Sequence, residues 1–160
     1  MFLRKDLDAL DDSQLNSCWV SDCYPGLHFT VYPQFAFNVP DSEEKIRVTR
    51  APKLAGDEGL RFWLAAERAY GWMHPWQEIE SYFPKYIRGA AFERISEEEF
   101  AASIQSVTAG LVVPLASICG PCSGRFVGAL QMYSTKTDFI ISLFAEYEHE
   151  FVHFHWDTTA

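Results

Sequence analysis

Basic residues are scarce in this 160-residue chain. Thirteen Lys and Arg stand against 22 Asp and Glu, a formal net charge of −9. A field of that sign repels phosphate backbones and anionic headgroups, so neither nucleic acid nor a membrane surface is the expected partner. Long apolar runs are missing too. The longest candidate, 111–119, is interrupted by Pro114 and reaches roughly half of the ~20 residues a membrane helix needs. The start, MFLRKDLDALDD, breaks any apolar stretch with charge, so it does not read as a secretory signal. The expected location is the cytoplasm. Catalytic signatures are also lacking: there is no G-x-S-x-G, no P-loop and no G-x-G-x-x-G. The expectation is a protein that is not an enzyme and needs no cofactor. Cysteine is limited to Cys18, Cys23, Cys119 and Cys122. A chain of this length builds a core without cross-links, and a cytosol keeps such thiols reduced.

What is present is ordinary globular material, with 48% hydrophobic and 22% charged residues. One domain spanning 1–160 is expected. Leu3, Leu7, Leu10 and Leu15 suggest a short amphipathic helix over 1–16, and 17–24 a strand. The aromatic and β-branched run 27–39 predicts a strand with Pro33 at an edge or bulge, and 45–50 predicts another. Asp57 reads as the N-cap of a helix carrying Leu60, Trp63, Leu64 and Glu67, with Gly71 beyond its end. A second short helix is expected over 76–83, stopped by Pro84. Ser96-Glu97-Glu98-Glu99 spells a capping box. Phe100, Ile104, Val107, Leu111 and Leu115 follow as one buried helical stripe. Three strand-like runs, 125–133, 138–145 and 150–157, have short polar links and predict an antiparallel meander. The predicted fold class is α+β: an antiparallel sheet with a C-terminal three-stranded meander packed against two or three helices.

Two sets of residues have metal-ligating chemistry. Cys119-Gly120-Pro121-Cys122 has the dithiol spacing of thioredoxins, but it follows a helical pattern and runs into a strand, where a redox dithiol opens a helix. Paired with Cys18 and Cys23, the same thiols would make a four-thiolate zinc set. His149, His153 and His155 fall on one face of the last strand, with Val152, Phe154 and Trp156 on the other. The apolar face reads as core, so the histidines are expected toward solvent or a groove. There Glu146 or Glu148 would supply oxygen to a metal held by His153 and His155. The leading expectation leaves all of these without a metal.

The acids gather at 6–12, 41–44, 57–58, 93–99 and 146–150. A negative face with Trp and Tyr anchors suits fast, steered association with a basic protein. Asp41, Glu43, Glu44, Glu146, Glu148 and Glu150 are the expected contacts. A small acidic α+β chain of this kind resembles bacterial immunity proteins, such as those that neutralise contact-dependent inhibition toxins. The resemblance implies a basic, nuclease-like toxin domain as partner and occlusion as the mechanism. The alternative reading is a small-ligand binder or enzyme with an aromatic-lined pocket over a curved sheet, marked by polar groups such as His153 and His155 converging on a hollow.

Overall fold

The computed structural model describes residues 1–17, 24–39, 43–71, 79–112, 122–133 and 139–158. Two short helices come first, α1 (Arg4–Asp8) and α2 (Asp12–Ser17), followed by β1 (His28–Tyr32) and a 3₁₀ turn (Gln34–Ala36). Then come β2 (Lys45–Pro52), α3 (Leu60–Gly71), α4 (Ile79–Arg88), β3 (Ala91–Ile95) and α5 (Glu97–Thr108). The chain closes with β4 (Phe126–Tyr133), β5 (Ile140–Tyr147) and β6 (Glu150–Asp157). The six strands form one antiparallel sheet in the order β1-β2-β6-β5-β4-β3. The fold is α+β and the C-terminal meander is present. Among the described residues no helix is long and apolar enough to cross a membrane.

Both faces of the sheet are covered. Side chains alternate along a strand, and here each parity meets its own hydrophobic layer. On one face Phe144, Phe151, Leu130 and Met132 pack with Phe62, Trp63, Phe83 and Ile87 of α3 and α4, and with Phe2 and Leu7. On the other face Ile46, Val48, Leu143, Ala145, Val152 and Phe154 pack with Phe100 and Ile104 of α5. Double coverage explains why β5 and β6 are buried almost along their length. Rings knit the first layer: Phe144 lies 5.4 Å from Phe2 and 5.6 Å from Phe151, and Trp63 lies 5.1 Å from Phe92.

Local chemistry sets the element ends. Ser96 Oγ accepts from the Glu99 amide at 3.1 Å, and Glu99 Oε2 accepts from the Ser96 amide at 2.7 Å. Such a cap contributes about 1 kcal/mol. Asp57 does not cap α3. Its Oδ1 accepts from the Gly59 amide at 2.8 Å, a turn that precedes the helix by one residue. Gly59 has φ +92, and a Cβ there would overlap the Phe144 ring, so the turn requires glycine.

Several sequence expectations are corrected. The N-terminal helix is two helices, and the strand over 27–39 ends at Tyr32, because Pro33 supplies no ladder N–H and the chain turns into the 3₁₀ segment. Gly71 is the last residue of α3, within the helix. Pro84 does not end the second helix but lies inside α4. An interior proline costs about 3 kcal/mol or more, and complete burial of Phe83 and Ile87 on the same helix offsets it. The α5 stripe stops at Thr108, and Leu111 instead bridges to Phe37 in an isolated β contact. β3 was not foreseen. The readings at 18–23, 76–78 and Leu115 lie outside the described residues.

Candidate functional site: a buried acid–histidine cluster

The most chemically loaded place in the fold lies under α3. Trp63, Leu64 and Glu67 recur at helical spacing, so all three face the sheet. Glu67 is 1% exposed, a carboxylate in an otherwise apolar stripe. Beneath it run two cross-strand rows. Arg47, His155 and Ser142 are register partners across β2, β6 and β5, and Thr49, His153 and Phe144 form the adjacent row. Glu67 Oε1 lies 2.9 Å from His153 Nε2 and accepts from Ser142 Oγ at 2.6 Å. Ser142 Oγ is itself 3.0 Å from His153 Nε2. The Tyr86 hydroxyl approaches Glu67 Oε2 at 3.5 Å, and His155 Nε2 lies 3.7 Å from Asp157 Oδ2.

Electrostatics keep the cluster compact. Burial raises the Glu67 pKa, but the charge and hydrogen bond of His153 outweigh it and take it down to about 2. Burial pulls His155 down to about 4, against the attraction of Glu67 and with help from His153 and Arg47. His155 is therefore a neutral imidazole near pH 7.

A serine, a histidine and a carboxylate together invite comparison with a hydrolytic triad, and the geometry does not match one. In a triad the acid holds one imidazole nitrogen while the serine meets the other. Here Glu67 and Ser142 both approach Nε2. His153 and Ser142 also have no exposed surface from which to meet a substrate.

The expected histidine face thus differs from the one observed. His153 and His155 point inward, because the strand that carries them is covered on both faces; of these three histidines, only His149 is exposed. The carboxylate beside them is Glu67, not Glu146 or Glu148. Packed rings of Phe62, Phe144 and Phe151 occupy the neighbouring space. A separate open groove of about 430 Å³ lies at the sheet end, lined by Gly26, His28, Arg50, Ser123, His149 and Glu150 among others.

Two of the expected partner contacts are internal. Glu146 is 3% exposed and pairs with Lys53 Nζ and with the Met1 amine at 3.0 Å. Glu150 is 7% exposed, accepts from Arg50 Nη2 and Nε at 2.7 and 3.0 Å, and accepts from the Ser123 amide. These carboxylates are spent inside the protein, so they are withdrawn as contacts. Glu43 and Glu148 are exposed, Glu44 is half-buried, and Asp41 lies outside the described residues. Cys122 is half-buried, and burial pushes its thiol up, away from the thiolate form. Bends at 123–124 lead from it into β4 rather than into a helix, as a redox dithiol would require. Cys18, Cys23 and Cys119 lie outside the described residues.

The Glu146 pair makes stability pH-dependent. Burial raises its pKa, but hydrogen bonds from Lys53 and the amino terminus prevail and hold the carboxyl below its usual range. Its folded pKa is thus lower than the unfolded value of about 4.3. The contribution is complete above the unfolded value and is lost as pH falls through the folded one. Lys53→Met is expected to move the acid-unfolding midpoint, followed by far-ultraviolet circular dichroism, to higher pH. An unchanged midpoint would show that the pair contributes nothing.

Sequence reasoning placed Glu67 on the helix stripe yet missed its role. The signal was a lone acid between apolar positions, and its partners are 75 and 86 residues away. No protein family, curated protein or solved structure matches this chain.

Proposed function

We propose that this chain is an acidic protein-binding module that occludes a basic protein domain, in the manner of an immunity protein covering a nuclease-like toxin. The observation that supports it best is an exposed acid–aromatic patch on edge strand β3, β4 and the start of α5. Tyr133 is 46% exposed and lies directly opposite Ala91 on β3. Partial burial, then the hydrogen bond and charge of Glu93 and the charge of Glu99, push its hydroxyl pKa up, so both acids stand beside it. Glu97 and Glu98 extend the exposed negative surface along the first turn of α5.

The buried acids strengthen this reading by subtraction. Glu67, Glu146 and Glu150 each face a cationic or protonatable partner inside the fold. The Glu146 and Glu150 pairs cancel, so the net charge of −9, counted with neutral histidines, is carried by the remaining groups. Steering by such a field raises association rates, and a desolvated Tyr slows dissociation.

The test is capture of the native partner at low salt, followed by binding kinetics across ionic strength. One basic domain recovered in near-equal amount is the expected result. Glu97→Lys with Glu98→Lys is expected to slow association by about tenfold or more and to flatten its salt dependence. Tyr133→Ala is expected to speed dissociation instead. An acidic or neutral partner, or association rates unchanged by the charge reversal, would overturn the proposal.

A further inference from the structure

We propose that Glu67, His153 and His155 form a structural site for a divalent transition-metal ion of the zinc type, taken up as the chain folds. One donor atom from each residue lies within 4.8 Å of the others. Ligands about 2.0–2.1 Å from a tetrahedral ion stand about 3.3 Å apart. The 2.9 Å between Glu67 Oε1 and His153 Nε2 is already near that value. The donors come from two rigid elements, α3 and β6, so the backbone holds the set in place.

The donor chemistry narrows the ion. Two imidazoles with one carboxylate suit zinc, cobalt, nickel or iron, and offer too few oxygens for calcium or magnesium. A second layer of partners surrounds the set: Ser142 and Tyr86 on Glu67, and Asp157 beside His155. Such groups orient metal ligands. Arg47 is the cation that would compete. Its guanidinium stacks on the Phe29 ring at 4.2 Å, toward the edge strand β1.

The Nε2 edge of His153 is the one aimed at Glu67, so it is the ring atom that would hold the ion. His153 Nδ1 and Thr49 Oγ1 are both buried without a hydrogen-bond partner among the described residues. Nδ1 and Nε2 point away from one another across the ring, so an ion on Nε2 leaves Nδ1 open to a second partner.

Because the three ligands are sealed from solvent, loading is coupled to folding. The experiment unfolds the full chain in guanidinium, alkylates all four cysteines, and refolds it with one equivalent of Co²⁺, with one of Zn²⁺, or with a chelator. Expected are about one ion retained per chain after gel filtration, a visible Co²⁺ d–d spectrum without a thiolate charge-transfer band, and a higher melting temperature for the zinc-refolded protein. His155→Ala is expected to lose at least about tenfold in affinity, whereas His149→Ala, outside the cluster, is expected to retain it. If His155→Ala does not fold, the wild-type retention and spectrum decide alone. No ion retained by the alkylated wild type, or equal retention by a folded His155→Ala, would overturn the site.

Discussion

Glu67→Ala is expected to destabilise the fold by about 3–5 kcal/mol, read from the midpoint of guanidinium unfolding at neutral pH. Removing a buried carboxylate strands the groups that hydrogen-bond to it. Here the stranded group is His153, 0% exposed, with Ser142 losing its acceptor at the same time. The loss is a large share of the 5–15 kcal/mol that holds a typical domain together. Glu67→Gln keeps the shape and an oxygen for Ser142, so its cost is expected to be roughly half as large. A double-mutant cycle with His153→Ala separates the pair from the packing around it. Additive single-site losses would show that Glu67 and His153 are neighbours without coupling.

The second large effect belongs to the aromatic layer beside the cluster. Phe144→Ala is expected to cost about 3–5 kcal/mol, from the lost burial of a ring and the cavity left behind. Phe144 is 2% exposed and touches Phe2, Phe62 and Phe151 at ring separations of 5.4, 6.1 and 5.6 Å. Those neighbours belong to the N-terminal segment, α3 and β6, so no single element can collapse into the void. Phe144→Leu retains most of the volume and is expected to cost less than half as much. Equal losses for Ala and Leu, measured by denaturant unfolding, would show that the ring's shape rather than its volume is what the layer requires.

The two effects share a cause. α3 lies over the middle of the sheet and presents Trp63 and Leu64 to the rings and Glu67 to the histidines from the same face. The turn at Gly59 sets the start of that helix, with Phe144 filling the space a side chain would need. Packing in the aromatic layer and geometry in the acid–histidine cluster are therefore coupled through one helix.

How far the sequence reached depended on the range of the interaction. The Ser96 cap, the meander and β2 were legible because each rests on neighbours a few residues apart. β3 was not: its five residues, Ala91–Ile95, show no alternation strong enough to mark a strand, and pairing with β4 makes them one. Pro84 misled because propensity is a local penalty, whereas Phe83 and Ile87 gain their burial from distant strands. The histidine face misled for the same reason. Alternation on β6 separates two faces but does not say whether either is wet, and a helix 86 residues earlier decides it. The acids at 146 and 150 looked like surface because charge normally is; Lys53 and Arg50, nearly a hundred residues back, made their burial tolerable. The sequence by itself determined the charge, the fold class and the elements built on short-range capping and alternation. Only the tertiary structure decided which acids remain outside and which histidines meet a carboxylate, because burial is a property of what the rest of the chain places on top.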